Sequence, residues 1–210
     1  MRLEPPTEPL RSKRNRRVYP FRRSVLVHAL ASIALLAPIP AAVAAPPPSK
    51  PTEYDVKAAY LLNFGKFVRQ STATPARSSF EICTLGHDPI ASSLDTLADN
   101  SRINGIPVHV THLQDISTAK SSCAIVFISA AEDSHMREDL AILGDSDTLT
   151  VSDAPDFLER GGMIQFVLIS NHVRFAVNLE PVNRTHLILS SELLRVASSV
   201  SGKPPAGGLQ

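Results

Sequence analysis

Between Thr52 and Val200 the apolar positions of this chain fall into two rhythms that take turns. Val56, Tyr60, Phe64 and Phe67 recur at helical spacing and predict a helix over Thr52–Arg69, opened by a capping box of Thr52 with Asp55. Phe80–Leu85 then reads as a strand, closed by Gly86-His87-Asp88-Pro89, with a helix from Pro89 to about Ala98. Val108–Leu113 is a second strand. Ala124–Ser129 is an apolar, β-branched run of the kind buried on both faces of a parallel sheet. A helix over Glu132–Leu143 leads to a short strand at Thr148–Val151, then to a turn of helix near Phe157. Met163–Ile169 and Val173–Leu179 flank Ser170-Asn171 and read as a hairpin. Ser190 or Ser191 caps a last helix that the pattern carries through Val200.

Strands and helices in alternation imply a mainly parallel sheet with helices on both faces, and the late hairpin adds one antiparallel pair. The expected fold is Rossmann-like α/β, in one domain over residues 52–200. A Pro-rich leader at 45–51 and a Pro/Gly-rich tail at 201–210 are expected to be flexible and to add nothing to the core.

The segment before the leader obeys a different pattern. Eight bases and two acids occupy the first 23 residues, and Ser24–Ala37 is then almost wholly apolar. Fourteen such residues are too few for a bilayer core, which takes roughly 20. A basic stretch, a short apolar core and Ala42-Val43-Ala44 at its end describe a cleavable export signal over residues 1–44, cut after Ala44. The expected location is the periplasm.

Export changes the electrostatics. The whole chain carries 21 bases and 20 acids, but removing residues 1–44 leaves 13 and 18, a net charge of −5. A mildly acidic domain is a poor partner for nucleic acid or an anionic membrane, so no nucleic-acid partner is expected. Export also decides how Cys83 and Cys123 are read. In an oxidising compartment two cysteines of a secreted domain are expected to form a disulfide. A redox centre or nucleophile is the alternative, without the C-x-x-C spacing or adjacent base that either would use.

Motifs for chemistry are sparse. The chain has no G-x-S-x-G, H-E-x-x-H or P-loop, and only Gly86 follows the first strand, where a dinucleotide fingerprint needs three glycines. No cofactor, metal or catalytic residue is expected. Polar residues do stand at strand ends, where α/β proteins hold ligands: His87, Asp88, Ser129, Ser152 and Asp153. A hydrolase could be built from His87, Asp153 and a serine, but short strand-to-helix turns use the same residue types as caps. His109 and His112, three apart in a strand, should face opposite ways and not share a metal. Along Val173–Leu179 the packed positions alternate with Arg174, Ala176 and Asn178, which puts a guanidinium and an amide on one side, either as an ordinary solvent face or as a shallow anion or partner site.

Taken in order, these blocks resemble the YfiR family. Glu53-Tyr54-Asp55-Val56-Lys57-Ala58-Ala59-Tyr60 through Phe64 and Phe67 is similar to its opening helix, and Ile82-Cys83-Thr84-Leu85-Gly86-His87-Asp88-Pro89 to its first strand and loop. Leu149–Asp153, Gly161–Ile164, Val173-Arg174-Phe175 with Asn178-Leu179, and Ser190–Arg195 with Ala197 resemble its later blocks. The resemblance implies a non-enzymatic, homodimeric periplasmic repressor. Such a protein binds the periplasmic sensing domain of an inner-membrane diguanylate cyclase, or of another signalling protein such as a sensor kinase. An outer-membrane-associated partner would sequester it. The resemblance also places the Cys83–Cys123 pair at a family disulfide, and a second pair found in some members is missing here. It further implies a small-ligand site using Arg69 and Arg174, with Ala176 where a histidine would stand, so that the protein could instead bind a small anionic ligand.

Overall fold

A computed structural model describes residues 50–70 and 78–203; the expected export signal, its expected cleavage point and most of the leader and tail lie outside the described residues. Helix α1 spans Glu53–Phe67, and the capping box forms: the Asp55 N–H donates to Thr52 Oγ1 at 3.2 Å, and the Thr52 N–H to Asp55 Oδ2 at 2.8 Å. Its buried positions are Lys57, Ala58, Leu61, Phe64 and Gly65, so the buried stripe is turned from the one expected, with Val56 half-buried. Gly65 is required by close approach. A β-carbon there would lie 2.6 Å from Ile103 Cδ1 and 2.9 Å from the Phe80 ring.

Strand β1 (Val68–Gln70) follows directly, then β2 (Phe80–Leu85), α2 (Ile90–Ala98), β3 (Arg102–Ile103) and β4 (Ile106–Leu113). A 3-10 turn at Ile116–Thr118 runs into α3 (Ala119–Ser122) and β5 (Ile125–Ile128); a second at Ala130–Glu132 precedes α4 (Met136–Leu143). Next come β6 (Leu149–Ser152), β7 (Ile164–Ile169), β8 (His172–Asn178), α5 (Leu179–Val182), β9 (Leu187–Leu189), α6 (Ser191–Val196) and β10 (Ser199–Ser201).

Eight strands form one sheet in the order β10-β8-β7-β6-β5-β2-β4-β3. The run β4-β2-β5-β6-β7 is parallel and β7–β8 is the antiparallel hairpin, with Ser170 and Asn171 both at positive φ, as a two-residue turn of the type I′ class needs. The Rossmann-like α/β expectation is met. Alternation along each strand divides the core in two. Ile82, Ile125, Phe127, Val151, Phe166 and Phe175 face α1, α2 and α6, and the Phe64 and Phe175 rings meet edge-on at 5.0 Å. Cys83, Leu85, Val126 and Ile128 face the other way, toward α3, α4 and Phe157. The disulfide Cys83–Cys123 lies fully buried in this second layer and ties β2 to the end of α3.

The last helix differs from expectation. It ends at Val196, Ala197 turns to extended geometry, and Val200 belongs to β10, parallel to β8. The cause is tertiary: both the Ser198 N–H and its hydroxyl donate to the Phe175 carbonyl, each at 2.8 Å, which docks the chain on the sheet edge. Strand β9 was also unforeseen; it pairs with β1 as a separate two-stranded ribbon.

One buried carboxylate is poorly served. Asp139 on α4 is 8% exposed, and its Oδ2 finds no hydrogen-bond partner among the described residues. Burial, then the negative charge of Glu132, raises its pKa above the usual aspartate value. A raised pKa means that ionisation costs stability, fully above the folded-state pKa and not at all below the unfolded one. Asp139→Asn is therefore expected to add about 1 kcal/mol at neutral pH, with the gain fading as pH falls through the carboxylate range. Urea melts of both proteins across that range check this; a gain that grows on acidification would contradict it.

Candidate functional site

The carboxyl ends of β2, β5 and β6 lie side by side, and most of their polar groups serve the fold. Asp88 Oδ1 accepts from the Ile90 N–H at 2.9 Å, while Oδ2 accepts from Ser129 Oγ at 3.2 Å. Ser129 Oγ in turn accepts from the Ala131 N–H at 3.1 Å. Ser152 Oγ donates to the Ile128 carbonyl at 2.6 Å and accepts from the Ala154 N–H at 3.0 Å. These are the capping roles that short strand-to-helix turns ask for. Asp153 departs from that pattern. It serves the turn after β5, accepting from the Ala130 N–H at 3.1 Å, and not the segment that follows it.

The second oxygen of Asp153 meets Lys57 Nζ at 2.8 Å, and Glu53 meets the same ammonium at 2.7 Å. Lys57 is only 5% exposed. Burial works against its charge, but hydrogen bonds and charge from Asp153 and Glu53 outweigh that and hold its pKa above the usual lysine value. Sequence reasoning missed this lysine. Its one local signal was the i,i+4 spacing from Glu53, which ordinarily marks a solvent-exposed pair.

A cleft of about 300 Å³ opens beside this edge, lined among others by Thr84, Gly86, His87, Asp88, His112 and Glu132. His112 spans two elements: Nδ1 lies 2.8 Å from Thr84 Oγ1 and Nε2 3.1 Å from Asp95 on α2. His109 instead meets Glu81, at 3.3 Å, so the two histidines do take opposite faces of β4. His87 is exposed and makes no hydrogen bond among the described residues, while Asp153 is committed to Lys57 and Ala130. His87, Asp153 and a serine are thus not assembled into a proton relay. His186 meets Asp147 at 3.2 Å. Among the described residues, no group of three or more His, Cys, Asp or Glu is placed to hold a metal ion.

The arginines and the asparagine named from sequence occupy separate places. Arg174 is exposed on β8, opposite Val167, and the pleat sends it away from the face that Phe175 packs on α1. Asn178 shares the Arg174 face, but its amide is used at both ends. Its nitrogen donates to the Leu158 carbonyl at 3.1 Å, and its oxygen accepts from the Glu180 N–H at 3.0 Å as the cap of α5. Arg69 is exposed on β1, opposite Ile188 in the two-stranded ribbon. No hydrogen bond or ion pair among the described residues joins these three.

No helix among the described residues is long and apolar enough to cross a membrane. No curated protein sequence matches the chain. Among solved structures, the chain is similar to a conserved domain protein from Vibrio cholerae, with a TM-score of 0.52 at 10% identity. That similarity covers 71% of this chain and 60% of the other, and at such identity it speaks for the fold alone. A family model described as YfiR/HmsC-like matches residues 54–198, from the second residue of α1 to the approach of β10. With a match of that extent, the chain belongs to the YfiR/HmsC-like family, a family of periplasmic regulators.

Proposed function

We propose that the protein is exported, loses residues 1–44, and represses an inner-membrane signalling protein by binding its periplasmic sensing domain. The regulated protein would be a diguanylate cyclase. The observation that carries this reading is the family match over residues 54–198. Two features agree with it. The strand-end residues Asp88, Ser129, Ser152 and Asp153 are engaged in capping and in the Lys57 ion pair. Leu168 and Ile169, at the end of β7, are 58% and 49% exposed and offer apolar surface that a partner domain could cover. A homodimer and an outer-membrane-associated sequestering partner complete the proposal. Deleting the gene is expected to raise cellular cyclic di-GMP severalfold, with complementation restoring the original level. Unchanged cyclic di-GMP would remove the cyclase as target. Mass spectrometry of the exported protein should find Ala45 at its start.

A second reading is a periplasmic receptor for a small anion through Arg69, Arg174 and Asn178. The observation in its favour is that Arg174 is exposed and makes no ion pair among the described residues. Thermal-shift screening with nucleotides and amino acids decides it: no ligand moving the melting temperature, or an unaltered response in Arg174→Gln, discards the reading.

A further inference from the structure

Three arginines from distant parts of the chain line one cleft. Arg137 comes from α4, Arg160 from the loop before β7, and Arg184 from the turn after α5. The cleft measures about 260 Å³. Its floor includes Thr150 and Met163, and the hydroxyl of Thr150 is already taken by the Met163 N–H at 3.0 Å. Asp145 is the only carboxylate among the lining residues, and Asp133 beside the cleft pairs with Arg160, so three arginines meet two negative charges.

The guanidinium groups are only partly engaged. Arg160 is anchored through one terminal nitrogen, which donates to the Asp133 carboxylate at 2.6 Å and to its carbonyl at 3.2 Å. With its side chain 20% exposed, it is held in place while its other nitrogens remain unassigned among the described residues. Arg184 directs Nε toward Asp145 at 3.2 Å, and its two terminal nitrogens have no partner among the described residues. Arg137 makes no ion pair or hydrogen bond among the described residues. Asp133 and Asp145 offset two of the three positive charges, which leaves one in excess at the cleft. A guanidinium fork fits a tetrahedral phosphate oxygen pair in bidentate fashion.

We infer that the Arg137–Arg160–Arg184 cleft is a binding site for a phosphate-bearing small molecule, distinct from the Arg174 face of β8. The chemistry is shared by inorganic phosphate and by a phosphomonoester, whose remaining atoms the cleft has room to take. Anchored Arg160 sets the position of the anion, while exposed Arg137 and Arg184 close on it from two sides. The inference does not rest on the repressor reading.

The test is calorimetric titration of the purified protein with inorganic phosphate and with glycerol phosphate, at ionic strength matched by sodium chloride. Saturable binding is expected, weakened at least tenfold in the Arg137→Gln, Arg184→Gln double variant. Both substitutions are at exposed positions, and an unchanged melting temperature confirms that the variant is folded. Tighter binding of glycerol phosphate identifies a phosphomonoester as the source of the anion; tighter binding of inorganic phosphate identifies the free ion. Absence of saturable binding, or binding that the double variant retains, overturns the assignment. So does loss of binding in Arg174→Gln while the double variant still binds, or succinate binding as tightly as phosphate.

Discussion

Removing the disulfide with the Cys83→Ala, Cys123→Ala pair is expected to cost about 4 kcal/mol of stability. In the chain-entropy account this is what releasing a loop of about 40 residues returns to the unfolded state. The native side argues for no smaller loss. Both cysteines are fully buried in the layer formed by Leu85, Val126 and Ile128, so the substitutions also open space among packed side chains. Cys123 closes α3, and the bridge fixes that short helix to β2, which sits centrally in the sheet. Urea unfolding of the oxidised protein, the reduced protein and the double variant makes the comparison. The reduced protein should lose nearly as much as the variant, since the cross-link is the main term. Equal midpoints for oxidised and reduced protein would refute the prediction.

Lys57→Met carries the second large effect, an expected loss of about 3 kcal/mol, because it leaves Asp153 as a largely buried carboxylate without its cation. The Asp153 side chain is only 14% exposed, and it also holds the Ala130 N–H, so the turn after β5 should loosen with it. Adding Asp153→Asn to Lys57→Met should recover part of the loss, since an amide needs no counter-charge. The pH dependence has a definite sign. The folded protein raises the pKa of Lys57, so the stabilisation is fully present below the unfolded-state lysine pKa and is lost as pH rises through the folded-state value. The gap between wild type and Lys57→Met should therefore be constant through neutral pH and narrow only under strongly alkaline conditions. A gap that closes near neutrality would mean that the ammonium is not the stabilising species.

Strong local signals carried most of the fold from sequence to structure. The Thr52–Asp55 box placed the start of α1, Phe80–Leu85 came out with the same ends as β2, and Ser170-Asn171 turned the hairpin. What escaped was short or decided at long range. Strands β1, β3, β9 and β10 have two or three residues each, too few for a period to show. Leu193, Val196 and Val200 do share a helical spacing, and only the docking of Ser198 on Phe175 overrides it. The candidate sites were less legible for the same reason. Lys57 and Asp153 are 96 positions apart, and Arg137, Arg160 and Arg184 come from three separate elements. Asn178 was legible as a polar residue on a strand face, but its duty as the cap of α5 depends on where the next helix starts.

The position of β10 has one more consequence. An outer strand with bare amide and carbonyl groups is a template on which other chains can stack. Without β10, the seven-residue β8 would be that template along part of its length. The strand that covers it offers only Ser-Val-Ser and is followed by Gly202 at a φ of +84°, outside the extended range. Three residues and a turn make a poor landing place for a foreign strand. The segment that sequence periodicity assigns to a helix thus guards the domain against fibrillar self-association.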